Sequence, residues 1–432
     1  MKYIKYFLIV LLLCLASNEA KAEEIIAWED CVKEARKNNP DLVSAKEKVN
    51  QAKATKEITR SAALPQISGN GSEMTNKAPS STGSSGGSFG SSGGNRTTTY
   101  QYEFTGQQLL FDSFKTSFDL SGAERGIVSS KYNYDVTSSN VRLRLRTAFV
   151  SLLESQELLK VSEEIEVRRK QNAELVKLRY EGGREHKGSL LTAEANLAQA
   201  IYDVTQARRS IYLSQRRLSK ELSRAIFVPM MATGGLEVKD QVRERPNFEL
   251  FAETNPLLHQ LIAQKEAAKF GVKSAYSQLF PQIYASGSLG NTSTQWFPDK
   301  NEWSVGTTIT VPIFDGGNTI ATISKAKATL GQAQADERSG RDGVILTLSD
   351  TWTQLQNAVD MVEVQRKFVE ASKERSRIAE SEYSIGLLSF DNWTIIEDDY
   401  VSAKRSFLAA QTAALVAEAS WVQAKGGTLD YD

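Results

Sequence analysis

The fold of this chain is decided by residues 303–383, which begin WSVGTTITVPIFDGG. The first eleven residues alternate between larger, mostly apolar side chains and small or polar ones. This alternation predicts a strand with one apolar face. That face consists of Trp303, Val305, Thr307, Ile309, Val311 and Ile313.

A very long helix is predicted directly after this strand. Asp315 is suited to cap its start, because a short acidic side chain accepts hydrogen bonds from the first free backbone N–H groups. No proline follows before Tyr383. At a rise of about 1.5 Å per residue, a helix from Asp315 to Tyr383 is about 100 Å long. Apolar residues at alternating spacings of three and four form a coiled-coil seam; they are Ile345, Leu348, Trp352, Leu355, Val359 and Val362.

The same pattern occurs earlier in the chain, so the sequence contains an internal repeat. The matching positions in the helical part are offset by 203 in the numbering (314 minus 111). They are Phe111 and Phe314, Asp112 and Asp315, Phe149 and Trp352, Tyr180 and Tyr383, Gly183 and Gly386, and Glu194 and Glu397. Upstream the offset is 216 (255 minus 39), as shown by Asn39-Pro40 with Asn255-Pro256 and by Leu64-Pro65-Gln66-Ile67 with Phe280-Pro281-Gln282-Ile283.

The two offsets differ by 13 (216 minus 203), which places an insertion between Ile67 and Leu110, where the Gly/Ser-rich tract Ser80 to Gly94 lies. We interpret this tract as a flexible loop at the tip of a hairpin. Each repeat then consists of a hairpin, a long helix, a tight turn and a returning helix. The predicted division is a signal peptide (1–22), a first repeat (23–226), a connector (227–248), a second repeat (249–425) and a C-terminal tail (426–432).

The N-terminus predicts export. Lys2 and Lys5 precede an apolar run from Phe7 to Leu15, and Ala20-Lys21-Ala22 supplies small residues for cleavage after Ala22. A lipid anchor on Cys14 is disfavoured, because the preceding Leu13 is large. The mature chain then keeps only Cys31, so no disulfide forms within it.

Composition excludes several classes of protein. Lys plus Arg and Asp plus Glu both number 52, so no excess of positive charge points to nucleic acid. Mean hydropathy is -0.36, and after the signal no apolar stretch approaches the roughly 20 residues of a transmembrane helix. The apolar share of 41% is enough for a core or for seams between helices.

The two hairpins are predicted to cross a membrane as β-strands. In the first, Tyr100, Tyr102 and Phe104 alternate with polar residues, and in the second Ile283, Ala285, Gly287 and Leu289 do so. Strands of about 10 residues with one apolar face span a bilayer when they are tilted. The alternative is a soluble sandwich, but no second sheet is available to cover the apolar faces.

Four strands cannot close a barrel, and an open edge would leave backbone groups unpaired in lipid. The chain is therefore expected to oligomerise. Three copies would supply 12 strands and two copies would supply eight. The residues by themselves leave both numbers open.

No enzyme motif is apparent. The two histidines, His186 and His259, have no carboxylate or cysteine at the spacing of a metal site. Neither a nucleophile elbow nor a phosphate-binding loop occurs. We therefore expect no catalytic residue, no metal and no cofactor.

The doubled order of Asn-Pro, Leu/Phe-Pro-Gln-Ile, Phe-Asp and Tyr-x-x-Gly resembles the TolC family of outer-membrane efflux proteins over essentially the whole mature chain. The resemblance implies a mainly α fold with a small β part. Long coiled-coil hairpins would form a trimeric α-barrel in the periplasm, and two β-hairpins per chain would contribute to a 12-stranded barrel in the outer membrane of a Gram-negative cell. The implied function is an exit duct for efflux or type I secretion, with a periplasmic adaptor and an inner-membrane transporter as partners.

The family places its adaptor contacts and its aperture at the helical turns. The resemblance therefore implies adaptor contacts at Tyr180, Gly182, Gly183, Ile385, Gly386, Leu387, Leu388 and Ser389. The best-known aperture of the family has aspartates six and nine residues after the turn glycine, where this chain has Asn392 and Ile395. A carboxylate ring would select cations, and a solvated acidic helix face is the alternative. The aperture candidates are Asp391, which we favour, and Asn392, Glu397 and Asp398.

Two other classes of protein share some of these features. A periplasmic adaptor also carries coiled-coil hairpins, but it needs only one such hairpin and lacks amphipathic membrane strands. A fibrous surface protein has long coiled coils but does not need matched repeats with hairpins of bilayer length. Dependence on detergent separates both from the duct.

Overall fold

The computed structural model describes residues 24–77, 96–238, 244–297 and 299–430. The predicted signal peptide and the Gly/Ser-rich tract lie outside these residues. In the described part the chain contains eight helices, α1 to α8. They are Trp28–Asn38, Pro40–Ser61, Lys115–Glu181, Lys187–Glu221, Phe248–Glu253, Pro256–Ser277, Asn318–Ile385 and Phe390–Ala424.

The same residues contain six strands, β1 to β6. They are Glu24–Ile26, Gln66–Lys77, Arg96–Phe111, Met230–Ala232, Gln282–Ser293 and Lys300–Thr310. β1 pairs in parallel with β4. The other four form one antiparallel sheet in the order β2-β3-β5-β6, so both predicted hairpins are confirmed.

The duplication is visible in the lengths of the elements. The long helices α3 and α7 have 67 and 68 residues, and the return helices α4 and α8 have 35 each. Helices α2 and α6 have 22 residues each, and strands β2 and β5 have 12 each. The two repeats therefore agree in their long, return and preceding helices. They differ in the short first helix, which has 11 residues in α1 and 6 in α5, and in the strand before the long helix, which has 16 residues in β3 and 11 in β6.

One predicted strand is shorter than expected. β6 ends at Thr310, so Val311 and Ile313 lie beyond it. The intervening Pro312 has no backbone N–H to donate to a neighbouring strand, which ends the ladder. The helix that follows begins at Asn318. Asp315 nevertheless caps it, because its carboxylate accepts the N–H of Gly317 at 3.1 Å and that of Thr319 at 2.8 Å.

The chain packs into two units, each built from both repeats, and α3 and α7 contribute to both units. The first contains residues 24–46, 133–258 and 341–430 within the described ranges. Two of its three cores repeat each other at the offset of 203 seen in the sequence. The pairs are Val141 and Val344, Leu145 and Leu348, Phe149 and Trp352, Leu152 and Leu355, and Leu218 and Trp421.

The two asparagines of the Asn-Pro motifs hold the ends of the return helices. The side-chain amide of Asn39 donates to the carbonyl of Glu221 at 3.1 Å, and that of Asn255 donates to the carbonyl of Ala424 at 2.9 Å. Both asparagines are buried and also cap the following helix through Oδ1. A buried carbonyl needs such a donor, which explains the motif.

The C-terminal tail is part of the first core. Leu429 is buried among residues of α1 and α3. Its backbone N–H donates to Ser138 Oγ at 3.1 Å, and Arg36 pairs with Asp430 at 2.6 Å. The C-terminal tail is thus bound to the first repeat.

The second unit contains residues 47–132 and 259–340 within the described ranges, including the four-stranded sheet. Strand register places Phe104, Leu289 and Trp303 in one row across β3, β5 and β6. All three side chains are exposed, and other large residues of the same face are exposed too: Ile67, Tyr102, Val305 and Ile309. The opposite face carries polar side chains such as Ser288 and Ser304, whose hydroxyls lie 3.0 Å apart. One face of the sheet is therefore apolar and uncovered.

Candidate functional site

The two helical turns of the first unit lie together. The first joins α3 to α4 through Gly182 and Gly183, and the second joins α7 to α8 through Gly386. Gly183 and Gly386 have φ angles of +66° and +83°. Glycine takes such angles without the steric cost of a side chain, so each long helix can end in a tight reversal.

Tyr383 links the two turns and is fully buried. Its hydroxyl donates to Glu185 in the first turn at 3.0 Å. Its ring stacks on Trp393 of α8 with centroids 4.2 Å apart, and the Arg179 guanidinium lies 4.6 Å from the ring centroid. Burial, and then the hydrogen bond that the Tyr383 hydroxyl donates to the Glu185 carboxylate, raise the pKa of this hydroxyl. The phenol therefore stays protonated and keeps this link at neutral pH.

Arg179 adds a second link between the turns. Its Nη1 donates to the carbonyl of Tyr383 at 2.7 Å and to that of Ser384 at 3.2 Å. These carbonyls lie in the last turn of α7, which lacks the i+4 N–H groups of a continuing helix. The Tyr383 carbonyl also accepts the N–H of Gly386 at 3.0 Å. A positive charge is also favourable at the C-terminal end of a helix. The two turns are consequently fixed relative to each other.

We call the two linked turns, residues 182–186 and 386–389, the double turn. Most of the predicted contact residues are exposed on it or beside it. Ile385 and Leu387 are 72% and 77% exposed, and Tyr180 is 38% exposed. Gly182, Gly183 and Gly386 are also exposed, whereas Leu388 is partly buried against the cluster around Trp393. Ser389 is the N-cap of α8, and its side chain accepts the N–H of Asn392. The turns thus expose apolar side chains, and the links through Tyr383 and Arg179 hold the turns in place.

The four aperture candidates lie in the first turns of α8 and differ in environment. Asp391 and Asn392 are exposed, and Asp398 is exposed but paired with Arg169 of α3. Glu397 is only 1% exposed. Arg168 Nε donates to its carboxylate at 2.5 Å, and the Ser376 hydroxyl donates to it at 2.6 Å.

Glu397 is therefore held within the subunit. Burial by itself raises the pKa of its carboxyl, but the hydrogen bonds from Arg168 and Ser376 and the charge of Arg168 outweigh burial and lower the pKa below its ordinary value. Its bonds join three helices, because Arg168 belongs to α3 and Ser376 to α7. As a buried and paired group it differs from Asp391, whose carboxylate is exposed to solvent.

The sequence analysis did not identify Arg168, Arg179 and Glu185. They lie on α3 or just after it, far in sequence from their partners on α7 and α8. A charged residue on a long helix is usually solvated, so no local pattern singled them out. The part of the chain that the structure describes contains no group of three His, Cys, Asp or Glu side chains that could hold a metal ion. Among the described helices, none is long and apolar enough to cross a membrane.

Long helical hairpins, together with a sheet whose apolar face is uncovered, are typical of a channel-forming outer-membrane protein. The sequence profile of the outer membrane efflux protein family matches residues 31–223 and 248–427, and the chain belongs to that family. It is 23% identical over 404 residues to the outer membrane efflux protein BepC of Brucella suis biovar 1 (strain 1330), an alignment that covers 91% of this chain and 83% of that protein.

Solved structures show the same fold. The chain superposes on CusC with a TM-score of 0.81 at 17% identity, covering 92% of this chain and 91% of that one. For the open state of the MtrE outer membrane channel of Neisseria gonorrhoeae the TM-score is 0.79 at 20% identity, covering 94% and 90%. The predicted fold class is confirmed. The protein is an exit duct of an efflux system in the outer membrane of a Gram-negative cell, and the adaptor and fibrous alternatives are set aside.

Proposed function

We propose that three copies of this chain form a passive duct from a periplasmic adaptor, fed by an inner-membrane transporter, to the cell exterior. The observation that carries the proposal is the four-stranded sheet. Its edge strands β2 and β6 pair on one side only, and its apolar face is uncovered. In lipid such edges must be paired, and pairing β6 of one copy with β2 of the next closes a 12-stranded barrel whose apolar face meets the lipid.

The double turn is the proposed adaptor contact. Ile385 and Leu387 supply exposed apolar area beside Tyr180, and the links through Tyr383 and Arg179 hold that area in a fixed shape. Prior fixation lowers the conformational entropy that binding would cost. We expect neither catalysis nor a cofactor, because passage through a duct needs none, and no nucleic acid as a partner.

Asp391 is the proposed aperture carboxylate. It is the first acid of α8 and is exposed, and three copies would bring three such carboxylates around one axis. Like charges gathered at a constriction attract cations and repel anions. Asp398 contributes less, because Arg169 already neutralises it.

The test is purification from outer membranes in mild detergent, with the mass measured by light scattering and the conductance measured in a planar bilayer. A detergent-dependent trimer with discrete conductance steps is expected. A soluble monomer without conductance would refute the duct.

Asp391→Ala should change single-channel conductance and lower the preference for cations. The matched control is Asp399→Ala, because Arg375 pairs with Asp399 at 3.2 Å. Equal effects of the two changes would mean that Asp391 does not line the constriction.

A further inference from the structure

Two basic residues at the open end of the first hairpin lie directly opposite each other. Lys77 is the last residue of β2, Arg96 is the first residue of β3, and the strand register pairs them. Side chains directly opposite in an antiparallel pair lie about 5 Å apart, and like charges at that distance destabilise the pair. Both residues are exposed, and neither side chain forms a hydrogen bond or ion pair with any residue that the structure describes. We call Lys77 and Arg96 the basic pair.

The hairpin itself supplies no counter-charge to the basic pair. The sequence between the two residues, 78–95, contains no aspartate, glutamate, lysine or arginine. On the same face of β2 and β3 the nearest acid is Glu73, four residues before Lys77 and therefore about 13 Å away along the strand. The two positive charges thus stay together without a neutralising partner in the described part of the hairpin.

The basic pair belongs to the apolar face of the sheet. Successive side chains of a strand point to opposite faces, so Lys77 lies on the side of Ile67, and Arg96 lies on the side of Tyr102. In the described strands β2, β3, β5 and β6 this face carries only three charged residues, which are Glu73 and the basic pair. All three lie in the half of the sheet away from the helices. The face is therefore apolar along most of its length and basic at one end.

Two aromatic contacts indicate where this face meets the two surfaces of a bilayer. The rings of Tyr100 and Trp296 have centroids 5.1 Å apart, and those of Phe111 and Phe114 have centroids 5.8 Å apart. Aromatic residues flank an apolar band about 25 Å tall in membrane barrels. Tyr100 and Phe111 are 11 positions apart (111 minus 100) in β3, which gives about 28 Å of height for a strand tilted by about 40°. The two contacts therefore fit the two borders of the apolar band.

The basic pair lies just beyond the outer border of this band. Arg96 is four positions from Tyr100 (100 minus 96), which adds about 10 Å of height at the same tilt. The helices adjoin the opposite end of the sheet, so in the proposed duct the basic pair faces the cell exterior. Headgroups occupy roughly 5–8 Å on each side of the hydrocarbon core, and the long side chains of lysine and arginine reach back toward them. The pair is thus at the level of the headgroups of the outer leaflet.

We infer that the basic pair binds a phosphate group of an outer-leaflet lipid. A phosphate supplies the negative charge that the pair lacks. Arginine donates two parallel hydrogen bonds to phosphate, and lysine adds a compact positive charge. The phosphate belongs to a lipid because the pair continues the apolar face that meets lipid and lies at the height of the headgroups. The inference rests on the proposed duct, to which it adds a lipid-binding site at the outer rim of the barrel.

Native mass spectrometry of the purified trimer in mild detergent tests this site, with the phosphorylated glycolipid lipid A as the probe. Titration should give up to three lipid adducts per trimer. Lys77→Gln combined with Arg96→Gln should raise the dissociation constant at least about tenfold, because both charges near the anionic headgroup are lost. Lys300→Gln is the matched control, because Lys300 lies at the same end of the sheet but on its polar face, and should leave the affinity unchanged. Equal effects of the two changes would show attraction without a site and overturn the inference.

Two further titrations identify the source of the phosphate. Lipid A from which the phosphates have been removed should bind at least about tenfold more weakly, and an excess of inorganic phosphate should not displace the intact lipid. Equal binding of the phosphate-free lipid would overturn the phosphate assignment, and displacement by inorganic phosphate would overturn the lipid assignment.

Exchange of the two residues, Lys77→Arg with Arg96→Lys, separates charge from folding. Both charges are kept, so lipid A should still bind, and loss of binding in this variant would contradict the role of charge. The double glutamine variant should still form a conducting trimer. A conducting trimer of the unchanged chain that does not bind lipid A would refute the site and leave the duct intact, whereas the absence of any conducting trimer would refute the duct itself.

Discussion

The return helices α4 and α8 have the same length and the same buried asparagine at their ends, yet their surfaces differ. Tyr212 of α4 is 52% exposed, whereas Leu415 at the matching position of α8 is 1% exposed. Arg216 is exposed where the matching Ala419 is buried. Two return helices of equal length therefore differ in how much of their surface the rest of the chain covers. The difference teaches that burial in this protein follows the neighbours of a helix and not its place in the repeat.

The largest effect is expected at the buried position, Leu415. Leu415→Ala should lower the free energy of unfolding by about 2–5 kcal/mol, because it removes a fully buried side chain and leaves a cavity. Tyr212→Ala should cost less than about 1 kcal/mol, since its ring is half exposed and packs on Phe227, and its hydroxyl accepts hydrogen bonds only from the exposed Arg216, at 3.0 and 2.7 Å. Denaturant titration of both variants in detergent measures the difference. Equal losses would mean that α4 is covered in the same way as α8.

A second contrast concerns two matched carboxylates. Glu397 is buried with Arg168, whereas Glu194 of α4 is exposed. Glu397→Gln should cost up to about 3 kcal/mol at neutral pH, because it leaves the partly buried Arg168 with only the exposed Glu380, 3.3 Å away, as a counter-charge. Glu194→Gln, as the control, should change stability by less than about 0.5 kcal/mol. Denaturant titration at neutral pH compares the two, and equal losses would mean that the buried pair contributes nothing beyond an exposed carboxylate.

The Glu397 contribution should depend on pH in a defined direction. The folded-state pKa of this carboxyl lies below its unfolded value, so the stabilisation is complete above the unfolded pKa of about 4.3 and is lost as pH falls through the folded value. Unfolding midpoints of the unchanged chain and of Glu397→Gln should therefore converge in acid. A constant gap down to about pH 2 would argue against an ionised pair.

The smallest effect is expected just before the long helices, where the first repeat has non-glycine residues at two positions with positive φ and the second repeat has glycines. Ser113 and Phe114 have φ angles of 58° and 66°, and the matching residues of the second repeat are Gly316 and Gly317 with 68° and 89°. Ser113→Gly should stabilise the protein by less than about 1 kcal/mol, because relief of the left-handed conformation is partly offset by loss of the hydrogen bond from Ser113 Oγ to the Pro281 carbonyl. The reverse change, Gly316→Ser, should destabilise, and thermal midpoints in detergent measure both. A destabilising Ser113→Gly would show that the hydrogen bond outweighs the strain.

Much of the fold could be predicted because the signals are local and doubled. The alternation around Trp303, the coiled-coil seam through Leu348 and the turn glycines each indicate an element, and the constant offset between the repeats supports each by a second occurrence. The strand predicted from the sequence pattern is longer than β6. The apolar alternation continues past Pro312, whereas the hydrogen-bonded ladder ends at Thr310. The predicted contact and aperture residues stay predictions, apart from the observation that Glu397 is buried.

The supporting residues of the site could not be predicted. Arg179 and Tyr383 are 204 residues apart, and Arg168 and Glu397 are 229 residues apart. Nothing in the neighbourhood of either arginine indicates which carbonyl or carboxylate it will meet. The burial of Leu429 in the first core could not be predicted either, because a short tail with one leucine shows no hydrophobic periodicity.

By itself the sequence determined the elements of this protein, their lengths, their duplication and its family, because hydrophobic period, proline and glycine act on the chain within a few residues. Only the tertiary structure decided which helix faces are covered and that Glu397 is paired and not exposed. Burial and ion pairing depend on residues that are distant in sequence and become neighbours only when the helices pack.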